Sequence, residues 1–162
     1  MNTMTVRGLF LAALLTLCNW PVMAQKWTSQ IELLQSKYES TAREIITSQS
    51  RILANKQAFG SNESTYELLD LTANNLDKVA RRLDSLYSQL FLFELITDKA
   101  NREHGRRGVE RLIKELEREA SSLSGFVEKT LPRAKDAETT RLMLQARDLL
   151  KNTGETASAL MP

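Results

Sequence analysis

Three guanidinium groups fall close together in the stretch "NREHGRRG", at Arg102, Arg106 and Arg107, with the chain's one histidine, His104, among them. Guanidinium donors beside the free backbone amides of a helix start can bind an anion, either a phosphate or a partner carboxylate. The plainer alternative is a solvated helix end, where basic side chains suit the negative pole of the helix dipole. Glu103 and Glu110 already offset the charge in that stretch.

Other chemistry is scarce. A di-iron centre in a helical bundle needs two Glu-x-x-His motifs, and the chain has a single histidine. Covalent c-type haem needs Cys-x-x-Cys-His, and the one cysteine is Cys18, far from His104. Met143 and Met161 could in principle join His104 as axial haem ligands, but nothing in their spacing places them across a pocket. Neither a G-x-S-x-G elbow, a phosphate-cradling glycine loop nor zinc-ligand spacing is present. The sequence therefore gives no reason to expect a metal, a cofactor or an enzymatic activity.

A different signal lies in residues 90 to 96, "LFLFELI". At 100° per residue, Leu83, Leu86, Leu90 and Phe93 point toward one face of a helix, while Phe91, Leu92 and Leu95 point roughly 120° to 165° away from it. Those three form a second, outward ridge of about 300 to 450 Å², roughly half of one side of a standard protein interface. Two other arrangements would use the same residues: burial under Trp27, Leu160 and Met161 of the same chain, or a short buried strand. If open, the ridge suits helix-against-helix docking, with Phe91 and Leu95 as anchors one turn apart.

These residues must be positioned by helices. The opening "MNTMTVRGLFLAALLTLCNWPVMA" carries one basic residue, Arg7, an uncharged run over residues 8 to 18, then Pro21 and small residues at Val22 and Ala24. It reads as a signal peptide cut after Ala24. The run is too short for the roughly 20 residues that span a bilayer, so no stable membrane span is expected once it is removed. An uncleaved anchor, or a lipid on Cys18 behind the poorly suited Leu17, are the alternatives. Cleavage would remove Cys18 as well, leaving a thiol-free exported domain that holds together by packing alone. Of the 22 basic residues only Arg7 is lost, against 20 acidic ones, for a net charge of +1. So balanced a chain exerts no overall pull on nucleic acid or acidic membrane.

From Ser29 onward, Ile31, Leu34, Tyr38, Thr41, Ile45, Ser48, Ile52, Asn55 and Phe59 alternate steps of three and four. "SQIE" (Ser29, Glu32) and "STYE" (Ser64, Glu67) read as capping boxes that open two long helices, with Gly60 closing the first. The second helix is expected over residues 65 to 101 on the stripe Leu69, Thr72, Leu76, Val79, Leu83, Leu86, Leu90, Phe93, Thr97 and Ala100. Gly105 and Gly108 mark the next turn. A third stripe runs through Val109, Leu112, Ile113, Leu116, Ala120 and Leu123, a break follows somewhere in 122 to 132 around Gly125 and Pro132, and Leu142, Ala146, Leu149 and Leu150 form a fourth.

The expected fold is all-α: an antiparallel helical bundle of two long helices followed by a shorter pair, or three helices if the last two are one kinked rod. Residues 1–24 are the cleaved signal, 25–154 one domain ending at Gly154, and 155–162 a loose tail. Thr41, Ser48 and Asn55 fall on the inner seam, either as register-fixing polar residues or because the register slips to bring Ala42 inward.

The outline is similar to that of bacterial envelope proteins such as helical periplasmic chaperones and minor secretion-system subunits. It is an analogy of architecture that carries no residues across. The functional expectation is a non-catalytic periplasmic or secreted interaction protein, docking on an envelope protein or on itself through Phe91, Leu92 and Leu95. The alternative is a small-ligand sensing or carrier bundle whose polar seam faces a cavity.

Overall fold

The computed structural model describes the backbone of residues 4–55 and 59–160, and the side chains of 27–55 and 62–159. Four α-helices account for nearly all of it: α1 (Met4–Ala54), α2 (Phe59–Leu95), α3 (Lys99–Thr130) and α4 (Ala137–Leu160). A single 3-10 turn, Leu131–Arg133, separates the last two. The fold is an all-α bundle with no strand among the described residues, so "LFLFELI" stays helical to Leu95.

Each helix packs on the next, and α4 returns to α1. Cross-helix bonds fix the directions. Gln49 reaches Asp70 and Gln35 reaches Asp84, so α1 and α2 run antiparallel. Arg82 reaches Glu115 and Glu119 on α3. Ser124 bonds the Arg147 carbonyl, and Tyr38 of α1 meets Thr153 of α4. The bundle therefore alternates up and down, the arrangement that short connections allow.

The core is the stripe that heptad spacing picks out. Ile31, Tyr38, Ile45, Leu69, Leu83 and Leu116 are each at most 2% exposed. Each fully buried aliphatic side chain is worth about 1.5–3 kcal/mol of transfer free energy, and this packing, more than helix propensity, offsets the cost of ordering the helices. Thr41 and Ser48 do lie inward, while Ala42 is only half-buried, so no register slip occurs.

The helix ends differ from the sequence expectation. α1 begins at Met4, so Ser29 lies deep inside it and not at a helix start. The expected signal segment 1–24 carries side chains outside the described residues. α1 stops at Ala54, not Phe59, and Asn55 is exposed. Phe59 and Gly60 belong to α2, which places Ser64 inside that helix and removes the second capping box. Such S-x-x-E spacings also occur inside a helix, as here, where Glu32 accepts the Tyr87 hydroxyl of α2.

The second turn falls at 96–98, before the glycines. Asp98 is the N-cap of α3, with its carboxylate accepting the Asn101 amide at 3.0 Å, so α2 ends at Leu95 and Thr97 and Ala100 leave its stripe. Gly105 is instead a contact glycine. A Cβ placed there would sit 2.9 Å from the Phe93 ring and 3.0 Å from the Ile96 terminal methyl, so its absence lets α3 close against the end of α2. The third break lies at Pro132, with Asp136 capping α4 through the Thr139 amide at 2.8 Å; Gly125 sits inside α3. Separate helices α3 and α4 replace the kinked-rod alternative.

Gly154 ends nothing either. It is buried in α4 near Ser121 and the Glu117 carbonyl, and the helix runs on to Leu160 with Ala157 buried, where a loose tail was expected from residue 155. Packing on α3 orders this segment despite its weak periodicity.

The glycines yield a matched test. A methyl at Gly108 or Gly125 would meet nothing within 4 Å, so Gly108→Ala and Gly125→Ala should each raise unfolding free energy by about 1 kcal/mol through helix propensity. Gly105→Ala should lower it by about 1–2 kcal/mol, because Phe93 and Ile96 must move. Urea titration separates the two signs.

Candidate functional site

On α2, the core stripe and the outward ridge diverge as the wheel requires. Leu90 is 1% exposed and Phe93 5%, whereas Phe91, Leu92 and Leu95 are 55%, 53% and 64% exposed. Trp27, one of the expected covers, is itself buried in the core, and the ridge still keeps more than half of its surface. The other expected covers, Leu160 and Met161, have side chains outside the described residues. The three apolar side chains thus lie together on the last turns of α2.

The turn beside the ridge is tightly braced. Arg102 donates its Nε to the Ile96 carbonyl at 2.9 Å, closing an acceptor left open at the end of α2. Its own amide bonds the Asp98 carbonyl. Arg106 bridges Glu103 and Glu110, both at 3.0 Å, and Arg107 reaches Glu103 at 3.3 Å. Those two guanidiniums hold the Glu103 carboxyl below its ordinary range, and Glu103 in turn raises Arg106.

The structure therefore gathers the three arginines around carboxylates and a carbonyl, away from free amides. The helix start is occupied as well, since Asp98 holds the Asn101 amide. Arg106 and Arg107 lie about two turns further along α3. His104 is exposed. Among the described residues no group of three His, Cys, Asp or Glu side chains could hold a metal ion. None of the described helices is long and apolar enough to cross a membrane.

The polar seam expected of a ligand carrier is discontinuous. Thr41 is buried and accepts from Gln145 Nε2 at 3.3 Å, and Ser48 is buried, but Asn55 is exposed beyond the end of α1. The interior polar group without a hydrogen-bond partner among the described residues is elsewhere, at Asn75 Nδ2 on α2.

Sequence reasoning missed one feature of the same face. Between α1 and α2 runs an open groove of about 380 Å³, with half-buried Ala42, Ala73 and Ala80 beside Tyr38 and Leu76. Its walls carry Glu39, Asp77 and Asp84, and no lysine or arginine lines it. Arg43 and Arg81 sit outside it, each one helical turn from its partner, Glu39 at 3.5 Å and Asp77 at 2.8 Å. Asp84 takes the Gln35 amide at 2.6 Å. Alanines spaced seven apart at 73 and 80 were the available sign, but their meaning depends on which helix faces them.

Compared with protein-family models, curated proteins and solved structures, the chain matches none, so the reading of its site rests on its own geometry.

Proposed function

We propose that this chain is a non-catalytic, exported helical interaction protein of the periplasm or extracellular space. It acts as an adaptor, chaperone-like or envelope-assembly subunit, docking on a protein partner or on a second copy through the ridge of α2. The observation that carries this reading is the clustering of Phe91, Leu92 and Leu95, all more than half exposed, within five residues of one helix. Exposed apolar residues scattered singly are ordinary, but three large ones on adjacent turns form a patch comparable to the largest on a typical monomer, which is often functional. The braced turn at Arg102 supports it too, because it fixes the end of α2 and presents the ridge on a rigid element.

The leader read from the sequence supports export. Loss of Cys18 with that leader would suit a compartment in which free thiols oxidise. The test compares wild type with Leu95→Glu, both isolated from the source cells, by size-exclusion chromatography with light scattering. A charge on the exposed ridge should leave helicity and thermal unfolding intact while the complex falls to the mass of the chain alone. An unchanged complex would remove the ridge from the account.

A further inference from the structure

The ridge alone is too small for a stable complex, and the structure supplies the remaining surface. On α1, Ile46 and Leu53 occupy the position of Glu39 one and two heptads on, and are 56% and 48% exposed. On α2, Phe91 occupies the position of Asp77 and Asp84. Seven residues return a helix to nearly the same face, so these side chains continue the two walls of the α1/α2 groove.

Pairing between the helices sets their order along it. Leu53 lies beyond the Gln49–Asp70 rung at one end, and Phe91 lies beyond the Glu32–Tyr87 rung at the other. At 1.5 Å per residue the strip between them is about 35 Å long. Each end carries apolar side chains on one wall and a carboxylate on the other, Asp70 opposite Leu53 and Glu32 opposite Phe91, while its centre is floored by alanines and its central walls are acidic.

Building on the reading above, we infer that the α1/α2 groove receives one amphipathic helix of about 25 residues from a partner protein, with lysine or arginine flanking a small-to-apolar stripe. Alanine floors let a third helix backbone approach closely, as in helix-in-groove recognition. Asp84, bonded to the neutral Gln35 amide, and Glu39 and Asp77, each sharing its charge with an exposed arginine of its own helix, would meet the basic flanks, and the apolar residues at the two ends would anchor its termini. With Ile46 and Leu53 added to the ridge, the exposed apolar area reaches about 500 Å²; Ile46, Leu53 and Phe91 lie along the groove walls, while Leu92 and Leu95, two heptads on from Lys78 and Arg81, flank its Phe91 end.

A second copy fits less well, because matched faces would set the same three carboxylates against each other, and like charges across an interface are costly. Arg43 and Arg81 relieve part of that by pairing with Glu39 and Asp77, whereas Asp84 holds the neutral Gln35 amide.

The test uses two synthetic 25-residue helices with the same leucine–alanine stripe, one with lysine flanks and one with glutamate flanks. Fluorescence anisotropy with the purified chain at low salt should show the lysine peptide binding at least tenfold tighter. Added salt should narrow the gap, as should Asp77→Asn with Asp84→Asn, and Leu95→Glu should weaken the lysine peptide several-fold. Equal binding of both peptides would overturn the basic-helix assignment, and so would self-association of the chain that blocks both. If neither peptide binds while Leu95→Glu still dismantles the native complex, the groove inference fails and the ridge reading stands. If Leu95→Glu leaves the native complex intact, the ridge reading fails, and the inference that rests on it fails too.

Discussion

Tyr38→Phe should be less stable than the wild type at pH 8 and more stable at pH 12, with the curves crossing near pH 11 on an order-of-magnitude reckoning. The Tyr38 phenol is 2% exposed and lies 3.0 Å from Thr153 Oγ1. Thr153 gives its own proton to the Leu149 carbonyl at 2.8 Å, so Tyr38 is the donor in the pair. Burial raises the Tyr38 pKa well above the ordinary phenol value, and ionisation would also forfeit the bond it donates to Thr153.

The unfolded phenol ionises near pH 10, whereas the folded one keeps its proton. Above pH 10 the folded state therefore binds more protons, and stability falls by about 1.4 kcal/mol per pH unit. Below pH 10 this contribution is fully present. Phenylalanine forfeits the hydrogen bond, about 1 kcal/mol at neutral pH, but escapes the alkaline loss. Tyr87, raised by the Glu32 carboxylate, is unchanged by the substitution, so its titration cancels in the difference. Urea unfolding at stepped pH measures the gap, and two parallel curves would show that Tyr38 ionises freely in the folded chain.

Asn75→Leu should stabilise the bundle by about 1–3 kcal/mol. Asn75 is 3% exposed, and its Nδ2 finds no acceptor among the described residues. A buried donor without an acceptor forfeits its hydration, and an apolar side chain of similar length removes that cost while gaining helix propensity. Neighbouring Leu76 and Val79, at 1% and 0%, show how apolar this part of α2 is. Calorimetric melting of the variant is the check. A lower melting temperature would mean that the Asn75 amide serves a contact that leucine cannot replace.

How much of this was legible depended on whether the relevant partner was local. The stripes Ile31 to Ser48 and Leu69 to Phe93 are buried residue by residue as their spacing implies, because a helix periodicity is set by the chain itself. The outward direction of Phe91, Leu92 and Leu95 follows from the same rule, since it needs only the angle from the core stripe.

Glycine is a poor marker of the turns in this chain. Gly105 and Gly154 answer to Phe93 and to Ser121, side chains brought close only by tertiary pairing, and neither pairing is written in the local sequence. Asp98 was available as a cap but lay inside a stripe that extrapolated smoothly through Thr97 to Ala100. The acidic groove was out of reach for the same reason, because Ala73 and Ala80 become a floor only once α1 is known to lie beside them.

The proposed docking requires that the ridge be covered when the protein is at work. Hydroxyl-radical footprinting measures this directly, by comparing side-chain oxidation rates in intact source cells with those of the purified chain. Leu71 and Phe126, 38% and 40% exposed, serve as internal references away from the ridge. Oxidation of Phe91, Leu92 and Leu95 should slow at least threefold in the cells while Leu71 and Phe126 keep their rates. Equal ratios at all five positions would contradict the account.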